Sequence, residues 1–540
     1  MHSALELALW LILAATLAQN SFALVRSARQ QRQLGALLGV LVLAGVLRLL
    51  VPFGPANWYL SVGSGESPLA FARPTALAPL PLRALARDWL PGARVFNGLA
   101  SLAGIALFWY VATLAGNPRR AALVFAGLFA TVPLYVRYTA TDTGHTTQLL
   151  LFALAAVTFL RIWRRAATPL DFAGLSAALA LGMPIRLESG VLFFAVPLFA
   201  WRGGWQPRAL RNHAPLAVAL LLGWAVGGMS LWQFHGPSLR LRVAAHLLSA
   251  AFVVLSQATL LVNPVGVFFF PPLLAVPVWL HVAALARIRA WTALAVLYAP
   301  IFACALPLLF VDGAFVSLPI GGYYLVGLVF SVLAIALAID GLWDRVHAAL
   351  ATRRRWQIAA ALALVPCAWL FALKPYTYTY AWQEEYHFLL ETLPRKPATI
   401  LVLWDPSTHG GDLDCCLVLP YPSLMAARPD LHWVVLTLAD ANRESLRDRH
   451  FDYYYPGAML QLDPTSLEGR YAKVVAPDPT RRERQRAHVA ALRALDNRVH
   501  AQLALQPVAS AVVPAHTFSA MSFKDDAVTL QLFGVTGAPR

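Results

Sequence analysis

Charged residues are scarce in this chain of 540 residues, at 13%, while 59% is apolar and the mean hydropathy is +0.59. Soluble globular chains carry roughly 25% charged residues. A soluble fold is therefore excluded for most of the length. Lysine is also scarce, and arginine dominates the 43 basic residues that face 27 acidic ones. Cysteine is limited to four residues. Cys304 and Cys367 fall in apolar runs. Cys415 and Cys416 are adjacent, which is poor geometry for a mutual disulfide and a weak metal signal. No glycine-rich phosphate loop of the ATPase or dinucleotide-binding kind stands between a strand and a helix. The opening MHSALELALWLILAATLAQNSFALV lacks the basic stretch of a secretory signal and reads as a first span with its N-terminus outside.

Long apolar runs are present instead, recurring to about Phe371. A helix needs about 20 apolar residues to cross the hydrocarbon, and open sheets cannot sit in lipid. Spans are expected near 3–25, 34–54, 93–114, 121–137, 147–162, 169–185, 189–201, 214–234, 267–285, 291–311, 321–341 and 356–372. The stretch 244–266 is interrupted by His246, Gln257, Asn263 and Pro264, and reads as a re-entrant or interfacial piece. The expected fold class is thus a polytopic α-helical membrane protein of about twelve transmembrane helices over residues 1–372.

The net charge of +16 does not signal nucleic acid. Its arginines lie in short clusters between spans: Arg26, Arg29 and Arg32; Arg119 and Arg120; Arg161, Arg164 and Arg165; Arg202, Arg208 and Arg211; Arg287 and Arg289; Arg345 and Arg353 to Arg355. This is the positive-inside pattern, with membrane lipids as the partner on the cytoplasmic face. Segments 55–92, 138–146, 186–188, 235–266, 312–320 and 373–540 then face outside.

Residues 373–540 are polar and read as a soluble, extracytoplasmic α/β domain. Residues 380–393 and 481–497 have helical patterns, and 399–404, 432–438, 508–513 and 528–533 read as strands. Lys374, Tyr376, Tyr378, Tyr380 and Trp382 form an interfacial belt where the last span emerges. Asp405, His409, Asp412 and Asp414 are ligand types for a divalent ion, in a spacing that loop solubility explains equally well. The run Phe451 to Pro456 reads as an aromatic loop, able to stack on a ring or rest on the membrane.

Candidate site residues lie in the outer loops. The first loop carries Trp58, Tyr59 and Glu66, with Asp88 further along. A carboxylate just beyond a span suits general-base work on an acceptor, or organising a metal; a solvated loop glutamate is the plainer reading. The second loop holds Arg137, Tyr138, Asp142 and His145. Arg137 suits a phosphate oxygen. Asp142 and His145, three apart at a helix start, share one face; Asp142 also suits an N-cap. Arg186 and Glu188 follow at the outer end of a helix pair, where charge is expensive unless paired or used. His235, Arg240, Arg242 and His246 form an outward basic group. It suits a phosphate leaving group, or snorkelling to headgroups.

These features together resemble the GT-C superfamily of integral-membrane glycosyltransferases, the protein-mannosyltransferase-like and aminoarabinose-transferase-like enzymes. The matching residues are Arg48-Leu49-Leu50 at a span end, then Asn57-Trp58-Tyr59, the proline-rich stretch from Pro74 to Pro81, and a span entered at Arg94. Gly116 to Arg120, Pro133 and Arg137-Tyr138 continue the outline. Relatives place an Asp directly after the Trp-Tyr-like pair; here Leu60 to Gly65 intervene before Glu66. The resemblance implies sugar transfer, with inversion, from a polyprenyl-phosphate donor to a glycan, lipid or protein acceptor at the outer face of a cytoplasmic membrane. It implies Glu66 or Asp142 as base or acceptor organiser, with Asp88 as the alternative carboxylate. Arg137, Arg186, Arg240 and Arg242 would hold the phosphate. Some relatives need a divalent cation and others do not, so no cofactor or metal ligand is assigned. The arginine bias points to a GC-rich bacterial genome. A transporter or flippase of lipid-linked intermediates, and a non-catalytic cell-envelope scaffold, are the competing readings. A transporter would show an internal repeat or charged mid-membrane sites, and neither stands out.

Overall fold

The computed structural model describes residues 2–51, 91–140, 144–185, 214–235, 275–291, 381–403, 428–438, 449–457, 479–513 and 528–536, with scattered positions at 329–357, 424, 446 and 460. Its helices are α1 (His2–Gln30), α2 (Leu34–Leu50), α3 (Pro91–Leu114), α4 (Arg119–Thr131), α5 (Pro133–Thr139), α6 (His145–Trp163), α7 (Pro169–Ile185), α8 (Ala214–His235) and α9 (Ala275–Arg287). By length and composition, three are apolar and long enough to cross a membrane: Ala4–Gln30, Gly92–Leu114 and His145–Trp163. Leu34–Leu50, Pro169–Met183 and Ala214–Gly227 are shorter apolar helices. The protein is a helical membrane protein. The expected spans 189–201, 267–285, 291–311, 321–341 and 356–372 lie wholly or partly outside the described residues.

One expected span is broken. The run 121–137 divides at Val132 into α4 and α5. Proline cannot donate to the carbonyl four residues back, so the ladder stops at Pro133. Val132 closes α4 by donating its N–H to Leu128 O.

Glycine and small polar residues set how closely the helices approach. Gly223 and Gly227 make a Gly-x-x-x-Gly face on α8. A Cβ added at Gly223 would stand 2.8 Å from both Leu179 Cβ and Ser176 O of α7. At Gly174 of α7 it would stand 2.4 Å from Thr16 Oγ1 of α1. Lipid tails are as apolar as leucine, so close van der Waals packing of this kind is what joins helices in a bilayer. Phe108, Phe125, Phe129 and Phe152 fill the space among α3, α4 and α6; the Phe108 and Phe129 rings stack at 4.6 Å.

The basic turns gather at one end of this bundle. Gln33, after α1, donates to Arg119 O at 2.9 Å and accepts from Trp109 Nε1 at 3.1 Å. Asp171, fully buried at the start of α7, accepts from Thr168 N at 2.8 Å, Arg161 Nε at 3.2 Å and Gln19 Nε2 at 3.1 Å. Asn20 donates to the same carboxylate at 3.4 Å. Thr168-x-x-Asp171 is a capping pattern whose carboxylate also clamps α1 and α6 onto α7.

The C-terminal residues form α10 (Ala381–Thr392), β1 (Thr399–Leu403), β2 (His432–Leu436), β3 (Tyr453–Tyr455), α11 (Pro479–Gln502), β4 (Leu505–Val513) and β5 (Val528–Val535). The sheet has five strands in the order β2-β1-β3-β5-β4. β1 pairs in parallel with β2 and β3, and β5 pairs antiparallel with β3 and β4. Ile400 and Val402 of β1 pack with Phe388 and Leu389 of α10, while Leu401 and Leu403 pack with Leu495 and Val499 of α11. Both faces are covered, which is why β1 reads as a continuous apolar run. The expected aromatic loop at 451–456 is instead an interior strand. Tyr454 and Tyr455 are fully buried. Tyr454 donates to Asp496, and Tyr455 donates to Glu385 Oε1 at 2.7 Å. These hydroxyls are satisfied inside the fold, so the run is not a free stacking platform.

Candidate functional site

The bundle end opposite the basic turns is organised by two arginines. Arg48, in the last turn of α2, is 5% exposed. It donates to Ser101 Oγ at 2.6 Å, to Ala44 O and Ala130 O at 3.0 Å, and to Phe129 O at 3.5 Å. Phe129 O is the carbonyl that Pro133 leaves without a helical donor. The guanidinium carbon also lies 5.3 Å from the Tyr135 ring centre. One side chain thus joins α2 to α3, to the end of α4 and to α5.

Arg94, in the first turn of α3, donates to Leu49 O at 2.7 Å and Val51 O at 2.9 Å. A cation there meets the negative end of α2 and its orphan carbonyls. Arg94 therefore pins the end of α2 and Val51 to the start of α3. Leu47 and Val51 pack there on Val136 and Ala140.

Beside this point lies a buried polar belt. Asn97 and Ser101 of α3, and Thr146 and Thr147 of α6, are fully buried. Gln148 and His145 are 1% and 3% exposed. The Tyr138 ring, itself 3% exposed, meets the His145 ring edge-on with centres 4.5 Å apart. Among the described residues, Thr146 Oγ1 and Thr147 Oγ1 have no hydrogen-bond partner. Buried hydroxyls are normally satisfied, so this belt keeps spare hydrogen-bonding capacity.

The sequence expectations meet this geometry unevenly. Tyr138 and His145 are brought into contact. Arg137 and Tyr138 stand on α5, a helix that continues to Thr139, where a loop was expected. Gly144 holds the cap position of α6. Trp58, Tyr59, Glu66, Asp88, Asp142, Arg186, Glu188, Arg240 and Arg242 lie outside the described residues, as do Asp405, His409, Asp412 and Asp414. Among the described residues, no three His, Cys, Asp or Glu side chains gather as a metal site. Sequence reasoning missed the interior role of Arg48, the Asp171 clamp and Glu6, a carboxylate on α1 that is 5% exposed. The Thr-x-x-Asp spacing at a helix start was the signal available for Asp171.

A helical membrane protein with a buried polar belt at one end defines the class. The model of the dolichyl-phosphate-mannose-protein mannosyltransferase family matches residues 84–232. That stretch runs from α3 into α8 and holds Arg94, the polar belt and the Tyr138–His145 contact. The match is consistent with a GT-C superfamily glycosyltransferase. No individual curated protein matches the chain.

Proposed function

We propose that this protein moves a sugar, with mannose the first candidate, from a polyprenyl-phosphate donor to an acceptor at the outer face of the cytoplasmic membrane. The observation that carries the reading is the mannosyltransferase-family match, which falls on the buried polar belt at one end of the bundle. The basic turns face the cytoplasm, and the belt, the segment 55–92 and the C-terminal α/β domain at 373–540 face outside. The acceptor is a glycan, lipid or protein.

The acceptor oxygen attacks the anomeric carbon, and the bond from that carbon to the phosphate oxygen breaks. The acceptor proton passes to Glu66 or Asp142, with Asp88 as the alternative carboxylate. Direct displacement inverts the anomeric centre. Arg137, Arg186, Arg240 and Arg242 hold the departing phosphate, whose charge grows as the bond breaks. Trp58 and Tyr59 line the donor path, Glu188 orders Arg186, and His145 orients Tyr138 at the mouth.

The test is transfer or release of radiolabelled mannose from polyprenyl-phosphate mannose by the full chain in nanodiscs. Wild type consumes the donor. Glu66→Gln or Asp142→Asn lowers turnover at least about 100-fold, with the size-exclusion profile and Tm unchanged. Donor that stays intact and unbound on a folded wild-type protein overturns the proposal.

A further inference from the structure

One buried acid of the bundle has no part in the chemistry proposed above. Asp171 clamps α1 and α6 onto α7, and Asp340 lies 3.7 Å from Arg120. Both stand at the basic-turn end. Glu6 stands at the other. It is 5% exposed and extends the interior stripe of α1 that runs through Leu13, Thr16, Asn20 and Leu24. A carboxylate buried in a membrane helix is expensive and marks function by default.

Helix geometry puts Glu6 level with the polar belt. Gln19 of α1 and Arg161 of α6 both meet Asp171. Glu6 lies 13 residues before Gln19, and Gln148 lies 13 residues before Arg161. Each helix therefore rises about 20 Å from the clamp to these side chains. α1 packs on α3 and α6 as well as on α7. α3 and α6 meet at Gly104, where an added Cβ would stand 3.9 Å from Leu150 Cα; Ser101 and Asn97 thus lie beside the start of α6. One turn inward from Glu6, the buried indole N–H of Trp10 has no hydrogen-bond partner among the described residues, like the hydroxyls of Thr146 and Thr147.

The chemistry of this set selects its ligand. Carboxylate, amide, hydroxyl and indole N–H groups match the mixed donors and acceptors of sugar hydroxyls. A phosphate calls for cations, and the two arginines beside the belt, Arg48 and Arg94, are committed to main-chain carbonyls. We propose that Glu6 and Trp10 carry α1 into the transfer site, where the Glu6 carboxylate accepts from hydroxyls of the donor's sugar ring. The donor ring fits better than an acceptor because its lipid anchors it among the membrane helices. This rests on the transferase reading above. α1 lies outside the matched stretch 84–232, so the family match assigns it no role.

The test titrates polyprenyl-phosphate mannose against the full chain in mixed micelles and follows donor consumption. Glu6→Gln raises the KM for donor about 10–100-fold, the weight of a hydrogen bond to a charged group, and changes kcat far less. Trp10→Phe raises it about 3–10-fold. Donors lacking one ring hydroxyl give the second readout. On at least one of them wild type loses about as much as Glu6→Gln does on the intact donor, and in Glu6→Gln that same donor costs little more. A folded Glu6→Gln with the wild-type KM, or a Glu6→Gln penalty equal for every deoxy donor, overturns the assignment while the transferase reading stands. If Glu6→Gln does not fold, a wild-type KM in Trp10→Phe overturns it instead. Wild type that consumes no donor ends both.

Discussion

Replacing Arg48 by methionine tests the architecture of the bundle end that holds the polar belt. Methionine keeps the apolar stem and removes the guanidinium. Burying that charge costs several kcal/mol, and its loss relieves the cost. Against this, the donors to Ser101 Oγ at 2.6 Å and Ala130 O at 3.0 Å disappear. Phe129 O, facing Pro133, loses its donor as well. Each buried acceptor left unsatisfied costs about 1–3 kcal/mol. The acceptors outweigh the relief, and the net loss is about 2–4 kcal/mol. Arg48→Lys retains the charge without the planar fork and does not restore stability. The same reasoning requires coupling: Ser101→Ala costs about 1–2 kcal/mol alone and close to nothing beside Arg48→Met. The assay is thermal unfolding of the purified protein in one detergent at one scan rate, because large membrane proteins unfold irreversibly. A single variant that keeps the wild-type Tm, or a double variant whose loss is the sum of the two singles, refutes the reasoning.

Three further outcomes follow from the packing. Asp171→Ala leaves the half-buried Arg161 without its carboxylate and frees Gln19 and Asn20; it lowers stability by about 1–3 kcal/mol. A cysteine cross-link between α1 and α7 near Thr16 and Gly174 then forms more slowly. Gly223→Leu drives a side chain into Ser176 and Leu179 and costs about 1–3 kcal/mol in the same assay, while leucine at the exposed neighbour Val218 is neutral. In the sheet region, Arg428 donates to both oxygens of Asp430, at 2.8 and 2.7 Å, and holds its carboxyl below the ordinary 3.8. The pair therefore stabilises above that ordinary value, and the contribution is lost as pH falls through the lower folded value. The Tm difference between wild type and Asp430→Asn is expected at pH 7 and closes in strong acid.

Much of the helical framework was legible because apolar runs between arginine turns leave little choice in a bilayer. The spans 93–114, 147–162 and 169–185 lie within one or two residues of α3, α6 and α7. The break at Pro133 was written in the sequence but masked by the apolar run around it. β3 was missed because three tyrosines before a proline look like a surface loop. Only the pairing of Ile400 with Tyr453 and of Tyr454 with Phe533 shows that they are interior. In the site, Arg48 and Arg94 stood out as motif members, but their partners are carbonyls on other helices, which no spacing rule reveals. Asp171 is a similar case, since Gln19 lies 152 residues away in the chain. Tyr138 and His145, at the end of α5 and the start of α6, meet ring to ring, a contact that spacing alone does not reveal.

The central claim is best tested by a structure of the full chain with polyprenyl phosphate added. The account predicts lipid-phosphate density beside Arg137, Arg186 and Arg240, at the end of the bundle that holds Tyr138 and His145, with Glu66 or Asp142 facing the same cavity. A continuous path across the bilayer, or outer loops with no cavity between them, would contradict it in favour of transport or scaffolding.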